Sequence, residues 1–234
     1  MLTKIIVALD FSNEEQVFSL INVLEPTKCK LKIGKELFTS TGASLVRQVI
    51  AKGFDVFLDL KFHDIPNTVY KAISTACELG VWMVNVHASG GIAMMSAAKK
   101  AVDESKIHQP LLIGVTMLTS MSAQELVNIG VDLSVEEYVL LLAEQAKKAG
   151  LDGVVCSANE VKEIKQVLGA DFLTVTPGIR CFDDSSDDQS RIMTPERAIQ
   201  LGSDYLVIGR SITQASDPKA KLEFIYQMIS DVIN

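Results

Sequence analysis

Apolar segments of strand length alternate with amphipathic segments of helix length along the whole chain, and this alternation limits the possible folds more than any other feature. The strand segments are Lys4–Asp10, Cys29–Gly34, Asp55–Lys61, Val81–His87, Leu111–Met117, Gly153–Ser157, Phe172–Thr176 and Tyr205–Gly209. Their apolar runs are nearly continuous, as in a parallel sheet buried on both faces. Between them, apolar residues recur at helical spacing, for example Val17, Leu20, Ile21 and Leu24, or Val69, Ile73, Ala76 and Leu79. Eight strand-then-helix units in 234 residues predict an α/β fold, a single (β/α)8 barrel of TIM type over residues 1–234. The competing topology, a doubly wound open sheet, lacks its G-x-G-x-x-G after the first strand. No linker, low-complexity stretch or second domain is visible.

Local signals place the helix starts. Ser12 with Glu15 and Ser134 with Glu137 have capping-box spacing, Asn159 is a candidate cap, and Thr194-Pro195 opens a segment that Gly202 ends. The stretch from Ile179 to Arg191 is long, polar and acidic, with Asp183, Asp184, Asp187 and Asp188. It reads either as a solvated surface loop or as a lid over a site.

A net charge of −7 without a basic run argues against a nucleic-acid partner, though local arginines can still hold an anionic substrate. Cys29, Cys77, Cys156 and Cys181 have no C-x-x-C spacing and read as reduced thiols. The first apolar run is short and ends at Asp10, so neither a signal peptide nor a membrane span is expected, and a cytoplasmic location follows.

In such a barrel the chemistry sits at the C-terminal ends of the strands. Asp10 stands there on the first strand and Lys32 on the second. The third carries Asp59 and Lys61, two residues apart and thus on one face, with Asp64 in the turn beyond and Pro66 opening a helix. The fourth ends in His87 and the fifth runs into Thr119. The last two run into Arg180 and into Gly209-Arg210-Ser211, where barrels often bind phosphate. Because adjacent strands are neighbours, Lys32 can lie between Asp10 and Asp59, giving an alternating Asp–Lys–Asp–Lys array. Interposed ammoniums keep both carboxylates ionised, each close pair worth roughly 4 kcal/mol before desolvation. Fold stability alone rarely requires such an array; a reaction that handles charge does. No cluster has convincing metal-ligand spacing, since the lysines compete for the carboxylate oxygens.

The segment Asp59-x-Lys61-x-x-Asp64-Ile65-Pro66-x-Thr68-Val69 closely resembles the signature of the orotidine 5′-phosphate decarboxylase family, bacterial type. The resemblance extends to Val7-Ala8-Leu9-Asp10, Leu31-Lys32-Ile33-Gly34, Leu118-Thr119-Ser120, Thr176-Pro177-Gly178-Ile179-Arg180, Asp187-Asp188-Gln189 and Val207-Ile208-Gly209-Arg210-Ser211. It implies a cofactor-free lyase that converts orotidine 5′-monophosphate to uridine 5′-monophosphate and carbon dioxide, the last step of de novo UMP synthesis. It further implies that Lys61 protonates C6, Asp59 faces the substrate carboxylate, and Lys32 and Asp10 bind ribose. Thr119 would contact the pyrimidine, and Arg180, Gln189, Gly209 and Arg210 would hold the phosphate under the closing loop. The family is dimeric, so Asp64 and Thr68 would reach the partner subunit's substrate.

Two alternatives stand beside it. Magnesium-dependent sugar-phosphate decarboxylases and aldolases of the same superfamily share the Asp-x-Lys-x-x-Asp segment, but Lys32 and the Ile65-Pro66-x-Thr68-Val69 continuation favour the orotidine enzyme. A non-catalytic phosphometabolite-binding protein would need the arginines but not the charged array.

Overall fold

The computed structural model describes residues 3–181 and 193–233. Eight parallel strands close into a barrel in sequence order: β1 Ile5–Ala8, β2 Lys30–Gly34, β3 Val56–Phe62, β4 Met83–His87, β5 Leu111–Val115, β6 Gly153–Val155, β7 Leu173–Thr176 and β8 Tyr205–Ile208, with β8 pairing back onto β1. The helices between them are α1 Glu14–Ile21, α2 Lys35–Ala51, α3 Pro66–Leu79, α4 Gly91–Glu104, α5 Ala123–Asn128, α6 Val135–Lys148, α7 Ala158–Leu168, α8 Pro195–Gln200, α9 Arg210–Thr213 and α10 Pro218–Ile233. The architecture is the (β/α)8 barrel that the alternation predicts.

The period-2 geometry of the strands divides the apolar residues into two layers. Ile5, Val7, Val56 and Leu58 belong to the large outer core under the helices. Ile6, Ala8, Phe57, Met83, Ile113, Val175 and Val207 form a separate inner cluster. Both sides of each strand are therefore apolar, which explains the continuous runs in the sequence. At β6 the chain passes very close to its neighbour: a Cβ on Gly153 would lie 2.2 Å from the Leu173 carbonyl oxygen.

The inner cluster also separates two ionic layers on β2. Lys30 pairs with Asp55 at 2.5 Å and lies over the Trp82 ring, which meets Tyr205 edge-on. Two residues on, Lys32 reaches the opposite, C-terminal end. In barrels of this kind the N-terminal end carries residues that serve stability, and the C-terminal end is where sites are built.

Helix starts differ from the sequence expectation at two places. Asn13, not Ser12, caps α1, its side chain accepting from the Gln16 N–H at 3.1 Å. The helix begins one residue later than the Ser12–Glu15 spacing predicts, because the carboxamide of Asn13 is an equally good cap. Ser157, not Asn159, caps α7, and Glu160 completes its box. Strand β6 ends at Val155, so the serine is the first free cap available. The Ser134–Glu137 box and the Thr194 cap form as expected. Gly209 stands at the N-cap of the one-turn helix α9, which holds Arg210 and Ser211 and precedes the last helix.

The four cysteines are free and buried, and burial pushes the Cys29 thiol up to about 12. Among the described residues, no helix is long and apolar enough to cross a membrane.

Candidate active site

The charged residues named from the sequence meet at the C-terminal mouth of the barrel. Lys32 Nζ lies 3.3 Å from Asp10 Oδ1 and 3.3 Å from Asp59 Oδ2. Lys61 Nζ lies 2.7 Å from Asp59 Oδ1. The contacts run Asp10–Lys32–Asp59–Lys61 across three adjacent strands. The two carboxylates sit in different surroundings: the Asp10 side chain is 64% exposed and that of Asp59 only 10%. Burial opposes the charge of Asp59. The ammoniums of Lys32 and Lys61, with hydrogen bonds from Lys61 and Asn85, outweigh it and hold the carboxyl below the usual carboxylate range. Gly34 leaves the space this needs, since a Cβ there would stand 3.2 Å from Lys32 Nζ.

Lys61 is not on a regular strand. Leu58 pairs with Val84 and Phe62 with Val86, so β3 advances four residues where β4 advances two. Lys61 occupies this bulge with a φ of 50°, the one non-glycine residue in the left-handed region among the described residues. A bulge strands main-chain donors, and here the Asn85 side chain takes the place of the lost partner: its Oδ1 accepts from the Lys61 N–H at 2.8 Å. Its Nδ2 donates to Asp59 Oδ1 at 2.7 Å. Reading the sequence for charge misses Asn85. The available signal was a lone carboxamide inside the apolar run Met83-Val84-Asn85-Val86.

Three cavities border the array among the described residues, and two of them, of about 230 Å³ each, lead from it to the other residues named from the sequence. One is lined by Lys32, Asp59 and Lys61 on its charged side and by Val115, Met117, Leu118, Val155, Pro177 and Val207 on its apolar side, with Thr119 at the rim. The other runs from Asp10, Lys32 and Asp59 to Gly178, Arg180, Gly209 and Arg210. One cavity thus has a largely apolar wall, the other is lined by two arginines, and the array borders both. Arg180 is itself buried, and its main chain is held by pairing with Met193, the Arg180 N–H donating to the Met193 carbonyl at 3.0 Å.

The remaining site residues are placed apart. Asp64 is exposed, its carboxylate accepting from the Ile65 N–H at 2.6 Å, and among the described residues it forms no ion pair with the array. Thr68 is exposed on the first turn of α3. Gln189 and most of the Ile179–Arg191 stretch lie outside the described residues. His87 ends β4 with its ring 5.5 Å from that of His63. Burial, then the charges of His63, Lys35 and Lys61, push its pKa down to about 4, so it is a neutral side chain under the site.

Comparison with known proteins agrees with this geometry. The family model for "Orotidine 5'-phosphate decarboxylase / HUMPS family" matches residues 3–225. The orotidine 5'-phosphate decarboxylase of Saccharophagus degradans is 57% identical over 222 residues, covering 95% of this chain and 93% of the relative. That of Pseudoalteromonas translucida is 55% identical over 226 residues, covering 97% of each. The crystal structure of the Lactobacillus acidophilus orotidine 5'-phosphate decarboxylase superposes with a TM-score of 0.87 at 41% identity, covering 97% of this chain and 99% of that one. On barrel, charged array and full-length similarity together, the chain belongs to the orotidine 5'-phosphate decarboxylase / HUMPS family.

Proposed function

We infer that the protein is an orotidine 5′-phosphate decarboxylase, a lyase that converts orotidine 5′-monophosphate to uridine 5′-monophosphate and carbon dioxide. The observation that carries the reading is a buried, ionised Asp59 with an ammonium on each oxygen, set between an apolar cavity and a two-arginine cradle. A pyrimidine fits the first cavity, against Thr119. Phosphate fits the second, against Arg180, Gly209 and Arg210, with Gln189 as a further ligand. Asp10 and Lys32, between the two, take the ribose hydroxyls.

The chemistry follows from the charges. The C6 carboxylate of the substrate enters beside Asp59, whose own negative charge disfavours that ground state. The bond from C6 to the carboxylate breaks, carbon dioxide leaves, and the electron pair stays on C6. The Lys61 ammonium stabilises that developing carbanion and passes it a proton, leaving a neutral amine that regains its proton from solvent. Phosphate held far from C6 supplies binding energy that keeps the charges in place. No cofactor enters this scheme. Both Asp59 oxygens already face ammoniums, so a magnesium ion there would have to displace two fixed cations.

The working unit we propose is a homodimer of single-domain subunits, with Asp64 and Thr68 of each reaching the substrate of the other. Their exposure beside Ile65, itself 66% exposed, supports this. The free, buried thiols fit a reducing, cytoplasmic location. An ultraviolet assay with orotidine 5′-monophosphate, with and without chelator, tests the reading. Rapid loss of substrate absorbance in chelator is expected. A well-folded protein with no turnover, or one that needs magnesium and acts on sugar phosphates, would overturn it.

A further inference from the structure

We propose that Asn85 is a positioning residue for the decarboxylation: its carboxamide locks the Asp59 carboxylate and the Lys61 main chain to one another and so aims the Lys61 ammonium. The inference rests on the assignment of Lys61 as the proton donor.

Asn85 is fully buried on β4, between Met83 and His87, at a position where the neighbouring layer is apolar. A buried carboxamide there is costly unless its polar atoms are used. Both ends are used, and in only one orientation. The carboxylate of Asp59 can only accept and the N–H of Lys61 can only donate, so reversing the amide would break both bonds. The bond to Lys61 falls at the one described side-chain-bearing residue in the left-handed region, where the β3 bulge has removed the ladder partner. Without it, the backbone at Lys61 has an unpaired donor and a strained φ, and relaxation toward a regular strand turns the side chain away. Asn85 lines none of the three cavities that border the array, so it acts on the substrate only through the two residues it holds.

The test uses wild type, Asn85→Leu and Asn85→Asp, with turnover of orotidine 5′-monophosphate and binding of uridine 5′-monophosphate measured in parallel. Leucine keeps about the same volume and removes both bonds. Its kcat is expected to fall about 100-fold, the cost of a small misplacement of the reacting group. Product affinity should stay within about threefold, because the phosphate and ribose contacts are untouched. Aspartate keeps the acceptor for the Lys61 N–H but sets a second carboxylate against Asp59. Its kcat should be low near about pH 8 and recover partly as the pH falls, since a proton on the new carboxyl restores the donor. A folded Leu variant with kcat within about threefold of wild type, or with kcat and product affinity falling together, would overturn the proposal. Should the Leu variant not fold, the pH profile of the Asp variant decides, and a profile parallel to wild type overturns it. Wild-type protein without turnover would instead overturn the functional reading.

Discussion

Lys61 combines a strained backbone with a charged side chain 2.7 Å from its counterion. Truncation to alanine removes the ammonium but none of the bulge's main-chain bonds. Lys61→Ala is therefore expected to lower kcat by at least about 1,000-fold while the thermal midpoint moves little; near-normal turnover would remove it as proton donor. Arg210 lines the cavity beside Arg180, which Lys61 does not border. Arg210→Ala should act mainly through KM, raising it about 100-fold, the worth of a charge-assisted bond or two. Steady-state kinetics separates the two effects. His87 makes a pH-dependent contribution of defined sign. Its folded pKa of about 4 lies below the ordinary 6.5, so between those values the unfolded chain binds a proton that the fold does not. Stability should fall as the pH drops from about 6.5 to about 4 and depend no further on this group below that. Urea titrations of wild type and His87→Asn across that window should show a shallower acid slope in the variant.

At the scale of elements, the strands were legible because both their faces are buried, and the caps were less so because several short polar residues compete for each helix start. Asn13→Ala is expected to cost about 1 kcal/mol and Ser12→Ala close to nothing, by chemical denaturation. Equal costs would restore Ser12 as the cap. The β6–β7 contact is tighter than any pattern of hydrophobicity reveals. Gly153→Ala pushes a methyl into the Leu173 carbonyl, a backbone group that cannot swing aside, and should destabilise by about 2 kcal/mol or more. The bulge in β3 was likewise invisible to a period-2 reading, which places Asp59 and Lys61 on one face of a regular strand. They do meet, but through a left-handed residue and a side chain borrowed from β4.

For the whole molecule, the proposed sharing of sites makes a sharp prediction. Lys61→Ala and Asp64→Asn would each be inactive alone. Mixed and allowed to exchange subunits, half the dimers would carry one site with both defects and one with neither, so roughly a quarter of wild-type activity should return. No recovery after verified exchange would place Asp64 in its own subunit's site or outside it.

The eight-unit rhythm and the set of charged residues at strand ends can be read from the chain alone, because both depend on local order: apolar runs, spacing by two, and the step from strand to turn. The sequence left open how deeply Asp10 and Asp59 are buried. Only the closed barrel makes one an exposed rim group and the other a buried charge held by two ammoniums, because burial depends on what distant segments lay over a side chain. Closure of β8 onto β1 likewise brings Arg210 to the cavity that Asp10 lines, two hundred residues away along the chain. Asn85 acquired a role only there, since a carboxamide has no chemistry until tertiary structure supplies one acceptor and one donor to bridge.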